Sequence, residues 1–438
     1  MKRVLLLWAM ILLTSSQVGA SQPALLTAEQ RVEGVSIIWR QISEQFPIRD
    51  RVGVFKTRVD LTSQEVKKVS SDAEYYAALD RLVASLNDGH TFVMAPAGVG
   101  VGRSKPSVGV ELVEGRPVVT WVRNDLAKDI PLGSSVVAVD GKEPFQIASE
   151  RTLSVSASTA NSRRDIAVSR ILEGESGSLV TIDYITPLGE QRTKSLERGD
   201  AWPEGTKLVF LRGIEGKRTD FRTFDRGEIS YFSARDFRDY SIYSAFAENL
   251  SAIRSSRAII FDVRRNSGGN SRFGIEVLSH FLTAPTAVGA TRKTSARIAA
   301  EESNLGKGFT GPIILVEKPQ GVIQPRTESE RISIPLVILT DHDTVSAAED
   351  FVSFASALGA MRVGEDTAGS TGEMARVALP GGGTLFALIK WDKSATGDEF
   401  VGLGFRPHVP SSPTVSDLVG GRDTILTRGL EIARGLMR

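Results

Sequence analysis

Two uninterrupted apolar runs constrain the fold of this chain more than any other feature. Residues 258–263 read Ala-Ile-Ile-Phe-Asp-Val and residues 335–339 read Pro-Leu-Val-Ile-Leu, and a helix-like segment follows each. A strand with one face in water alternates apolar and polar side chains, so a run this apolar belongs to a strand covered on both faces. Such strands, each followed by a helix, build a layered α/β domain around a parallel sheet. Ligands of these sheets gather beyond the carboxyl ends of the strands, which directs attention to the loops that follow the two runs.

The later loop leads to Ser346, which opens the helix-like segment Ser-Ala-Ala-Glu-Asp-Phe-Val at 346–352. A hydroxyl at a helix N-terminus lies at the positive end of the macrodipole, and the free N–H groups of the first turn can hold an oxyanion. The same residues, Ser346-x-x-Glu349, also spell a capping box, in which the hydroxyl only satisfies a backbone donor. Local sequence supports both readings. The earlier loop, 262–270, contains adjacent Gly268 and Gly269, which allow a sharp turn and leave N–H groups unshielded by side chains. Its structural counterpart is a plain turn closed by an Asp262–Arg264 ion pair. Neither Gly-x-Gly-x-x-Gly nor a phosphate-loop lysine accompanies these glycines, so they do not read as a nucleotide site.

A nucleophilic serine needs a base, and the 438 residues include four histidines and no cysteine. Without cysteine there is no thiol nucleophile, thiolate metal site or disulfide framework. His280 lies in an apolar helical stretch and reads as structural. His342 is close to Ser346 in sequence, but short loops seldom present an imidazole to such a neighbour. His90 follows the helix stop Asn87-Asp88-Gly89 and is expected to be accessible among polar neighbours.

The organisation along the chain is fourfold. Residues 1–20 have a basic start, an apolar stretch and a small-residue site ending at Ala20, the pattern of a secretory signal peptide. An exported, periplasmic or secreted protein is expected. Loss of Lys2 and Arg3 would take the formal charge from +1 to −1, and no basic run suggests nucleic acid or an anionic membrane as partner. Residues 21–101 are helical, with Tyr76, Leu79, Leu82, Val83 and Leu86 on one apolar face, and end in a Pro/Gly/Ala linker. Residues 102–198 form a mostly-β module, with strands expected at 108–112, 117–122, 135–139 and 179–184 and a helix near 163–172. Residues 199–438 carry the α/β domain, closed by a helix over 423–437.

Three segments, taken in order, resemble one family. They are Leu86-Asn87-Asp88-Gly89-His90-Thr91-Phe92, the 260–269 loop, and Thr344-Val345-Ser346-Ala347-Ala348-Glu349-Asp350 with Val363-Gly364-Glu365-Asp366-Thr367-Ala368-Gly369. Together they resemble the C-terminal processing peptidase and tricorn-core superfamily of serine peptidases. The resemblance implies a crotonase-like α/β peptidase domain with an inserted PDZ-like module at 102–198, no cofactor or metal, and peptide or unfolded protein as substrate. Ser/Lys members carry a lysine after Thr-x-Gly, where this chain has Ser370. The histidine-using branch implies Ser346 as nucleophile, His90 as general base, and an oxyanion hole from Ala347 with Gly268 or Gly269. That branch also has a serine before the histidine, where Gly89 stands here, and a glutamate near the last Gly-Pro motif, for which Glu399 is the nearest candidate. A catalytically silent binding protein or an esterase would use the same residues.

Overall fold

The computed structural model describes residues 25–99, 103–210, 217–302 and 309–437. The expected signal peptide lies outside them. A six-stranded sheet organises the α/β part, in the order Val409–Pro410, Met361–Gly364, Leu336–Thr340, Ala258–Asp262, Ile229–Ala234, Thr219–Phe224. All neighbours are parallel except the last pair. Side chains alternate between its faces, and both faces are covered. Ile259, Phe261, Leu336 and Ile338 join a core with Phe351 and Phe354 of helix Ala347–Ala357. Ile260, Val337 and Leu339 point the other way, onto Ile425 and Ala433 of the last helix, Thr424–Leu436. This two-sided burial is why the runs lack polar alternation, and each such side chain contributes about 1.5–3 kcal/mol.

The N-terminal region consists of helices Ala28–Gln45, Arg49–Glu65 and Asp72–Ala84. Thr27 and Gln30 form a capping box on the first, and Ser71 caps the third. The expected apolar face is buried throughout. The third helix ends at Ala84, and Asn87 takes a left-handed φ of 53° that turns the chain away. Strand Phe92–Met94 then pairs antiparallel with Thr384–Leu388, setting Phe92 opposite Phe386. Leu79, Val83 and Leu86 share one core with Leu385, Leu388, Phe400 and Val401. The region around residue 90 is thereby built into the C-terminal half of the protein.

The mostly-β module has an antiparallel sheet in the order Val108–Val113, Arg116–Arg123, Ser135–Val139, Leu179–Ile185, Gln191–Glu197. The four expected strands are present, and the expected helix spans Ala160–Ser169. Strand Gln191–Glu197 was not anticipated, because it is a polar edge strand with only Leu196 buried. Helix Pro144–Thr152 was also not anticipated; Glu143 caps it and proline occupies its first turn. Helix Val415–Val419 presses Leu418 against Val113 and Val118, tying the module to the C-terminal segment. Among the described residues no helix is long and apolar enough to cross a membrane.

Candidate active site

Ser346 stands between the strand Leu336–Thr340 and the helix Ala347–Ala357, with φ 62° and ψ −128°. A non-glycine residue held there costs on the order of 1–3 kcal/mol and persists only where its surroundings impose it. One such restraint is the bond from Ser346 N–H to the Ser370 carbonyl at 2.8 Å. The capping box is absent: the Ser346 side chain accepts no bond from the helix start. Glu349 turns inward instead, accepting from Thr367 Oγ1 at 2.5 Å, Gly369 N at 2.7 Å and Ser370 N at 2.6 Å. Burial pushes its carboxyl up to about 7, against the pull of these hydrogen bonds.

Freed from capping, Ser346 Oγ lies 3.1 Å from His90 Nε2. The other ring nitrogen, Nδ1, lies 2.7 Å from Ser370 Oγ. His90 is buried, 6% exposed, where the sequence suggested an accessible residue. The reason is the shared core described above, which closes C-terminal chain over the 87–91 turn. Desolvation lowers its pKa; Asp88 and Asp392 oppose the shift, and Lys390 adds to it. The ring is therefore neutral at pH 7, with a lone pair available on one nitrogen.

The glycine loop approaches the serine from the neighbouring strand. At Gly268, φ is +82°, and a Cβ would fall 2.5 Å from the Cβ of Ser346, so only glycine fits. Its N–H is donated to Asn266 Oδ1 at 2.9 Å. Gly269, with φ +143°, is pressed against the backbone of Phe237. Among the described residues no protein acceptor takes the N–H of Gly269 or of Ala347. The ion pair read from the same loop is present as well: Arg264 binds Asp262 at 2.7 Å and reaches Asp423, the cap of the last helix, at 2.7 Å. The turn is thus both braced and open toward Ser346.

The remaining candidates lie elsewhere. Glu399 is a correction: its carboxylate binds Arg292 at 2.7 Å and faces Lys393 at 3.9 Å, in a half-exposed ion cluster without a bond to His90. The pattern near the last Gly-Pro pair placed a glutamate in this stretch, but the strand bridge Lys393–Glu399 turns it to the basic side chains. His280 is buried, bonded to the Glu330 carbonyl at 2.8 Å and to Tyr243 Oη at 3.2 Å, a structural role as read. His342 faces Glu365 at 4.0 Å, and His408 Nδ1 accepts from Arg362 N at 3.0 Å. Two participants escaped the sequence reading, Ser370 and Glu349. Position 370 was noted for the lysine it lacks, and its own hydroxyl was the available signal.

A cavity of about 730 Å³ adjoins the site, lined by Ser267, Val345 and Ala368 from the loops around Ser346 and by Val110, Leu112 and Ile166 from the β module. Arg265 crosses between the two parts to Glu111 at 2.6 Å.

The fold and part of the sequence are similar to known proteins. Residues 228–411 match the model of peptidase family S41. The whole chain is similar in fold to mature CPAF bound to lactacystin, with a TM-score of 0.73 and 15% identity over 93% of this chain and 98% of that one. A second structure of mature CPAF gives 0.72 at 16% identity, covering 93% and 97%. A peptidase of Parabacteroides merdae gives 0.52 at 16% identity, covering 93% and 97%. No curated protein matches the sequence. Residues 228–411 thus carry a peptidase family S41 domain, the domain of a serine-type peptidase. Its fold is the mixed α/β fold of that family.

Proposed function

We propose that the protein is an exported serine peptidase in which Ser346 attacks the peptide carbonyl and His90 is the general base. The observation that carries this reading is the 3.1 Å approach of His90 Nε2 to a serine hydroxyl that has no capping role. In the first step the Ser346 oxygen forms a bond to the carbonyl carbon while His90 Nε2 takes the hydroxyl proton. His90 returns that proton to the leaving amine as the C–N bond breaks, giving an acyl-enzyme. Water, deprotonated by the same nitrogen, then releases the acid and regenerates Ser346. The N–H groups of Ala347 and Gly269 suit the oxyanion best, since that of Gly268 is already engaged by Asn266.

In this reading the α/β part is crotonase-like and the module at 102–198 is PDZ-like. A peptide or unfolded segment lies along the cavity between them. An active-site-directed fluorophosphonate is expected to label the wild-type chain and neither Ser346→Ala nor His90→Ala. Labelling that survives in Ser346→Ala would overturn the assignment. Casein hydrolysis measured beside a short ester separates peptidase from esterase action at the same serine.

A further inference from the structure

We propose that Ser370 is the positioning residue for His90, accepting the Nδ1–H hydrogen bond that aims the Nε2 lone pair at Ser346. The inference rests on the assignment of Ser346 and His90 above, and extends it to the third member that Glu399 does not supply. His90 Nδ1 and Ser370 Oγ are 2.7 Å apart, both residues are buried, and no carboxylate bonds to the imidazole among the described residues. An imidazole can take a proton from Ser346 only in the tautomer that carries its hydrogen on Nδ1. A hydroxyl oxygen 2.7 Å from Nδ1 can accept from that tautomer while Ser346 donates to Nε2, and it goes on accepting when the ring becomes an imidazolium.

The position of Ser370 is determined from three sides. Its N–H binds Glu349 Oε2 at 2.6 Å, and its carbonyl accepts from Ser346 N at 2.8 Å. The preceding Gly369 N–H binds the other Glu349 oxygen at 2.7 Å. Nucleophile and positioning hydroxyl are thus fastened to the same short helix start.

Gly89 completes the case. A Cβ at this position would lie 2.5 Å from Ser370 Oγ and 3.2 Å from Ser370 Cβ, so a side chain at 89 would displace the Ser370 hydroxyl from its place beside the ring. The hydroxyl beside the ring thus comes from residue 370, through space that a side chain at residue 89 would enter.

The groups facing the His90 ring enter the test, because its acid limb depends on them: Asp88 beside it, and Asp392 and Lys390 from the strand region opposite. In the mature chain Ser370→Ala is expected to lower kcat on an unfolded fluorogenic substrate by about 10- to 100-fold, the worth of a buried hydrogen bond to a charged group. KM should change little. The acid limb of kcat/KM should move to lower pH, because the imidazolium loses an acceptor. A variant with wild-type kcat and pH profile overturns the inference. A second measurement does not depend on the variant folding: 15N NMR of His90 in the wild-type chain at neutral pH should report the Nδ1–H tautomer, and the Nε2–H tautomer overturns it. If Ser346→Ala and His90→Ala are inactive while Ser370→Ala keeps the wild-type kcat and pH profile, this inference alone fails. Activity retained in Ser346→Ala removes the assignment on which it stands.

Discussion

At the scale of single residues, the site turns on where each polar atom finds its partner. Ser346 could cap its helix, and it does not, because Glu349 is drawn to the 367–370 loop and the strained backbone turns Oγ to His90. His90 titrates below the ordinary value of 6.5 because burial penalises its charged form more than Asp88 and Asp392 favour it. The base is needed neutral, so kcat/KM should hold constant above that value and fall with a midpoint below 6.5. A pH–rate profile with its acid limb centred above 6.5 would show that another group is the base. Stability has the same sign at this residue. Below 6.5 the unfolded chain gains a proton that folded His90 resists, so this contribution is lost as the pH falls.

At the scale of elements, the start of helix Ala347–Ala357 is the hub of the site. Glu349 holds Thr367, Gly369 and Ser370, while Asp350 holds Ser271 and Thr371. Replacing Glu349 by alanine leaves three donors unpaired in a buried place and should cost about 3 kcal/mol or more. Thermal unfolding would measure this, with activity falling as the 367–370 loop loosens. Its folded pKa, about 7, lies above the ordinary 4.5, so it destabilises the native state progressively as the pH rises from 4.5 to 7. Glu349→Gln should flatten the melting temperature across that window, by up to about 3 kcal/mol in the underlying free energy. An unchanged pH dependence would contradict this. The apolar runs were legible as two-sided strands because their whole environment is apolar. The edge strand Gln191–Glu197 was not, because solvent on its exposed side lets polar side chains occupy it.

At the scale of the whole molecule, the proposed base and nucleophile, His90 and Ser346, come from remote parts of the chain. They are 256 residues apart and meet because strand Phe92–Met94 pairs with Thr384–Leu388 and the N-terminal helices share a core with Phe400 and Val401. The α/β part alone would lack His90, and the helical region alone would lack the strands that bury its face. The expected leader belongs to this scale too, since it concerns where the assembled protein would reside. Cleavage after Ala20 predicts a mature N-terminus at Ser21 in the exported fraction. N-terminal sequencing of that fraction checks it, and a chain retained inside the cell with Met1 intact would refute export.

The sequence by itself determined the parallel sheet and the two loops beyond its strand ends, and it singled out Ser346, His90 and the Gly268-Gly269 pair as candidates. Those features depend on local periodicity and on residue types that a short motif carries whole. Only the tertiary structure decided that the Ser346 hydroxyl faces His90, that Gly89 packs against Ser370, that Glu399 is an ion-pair residue, and that Ser370 stands behind His90. Each of these depends on a distance between segments remote in the chain. Burial and hydrogen-bond geometry set such distances, and no local pattern encodes them.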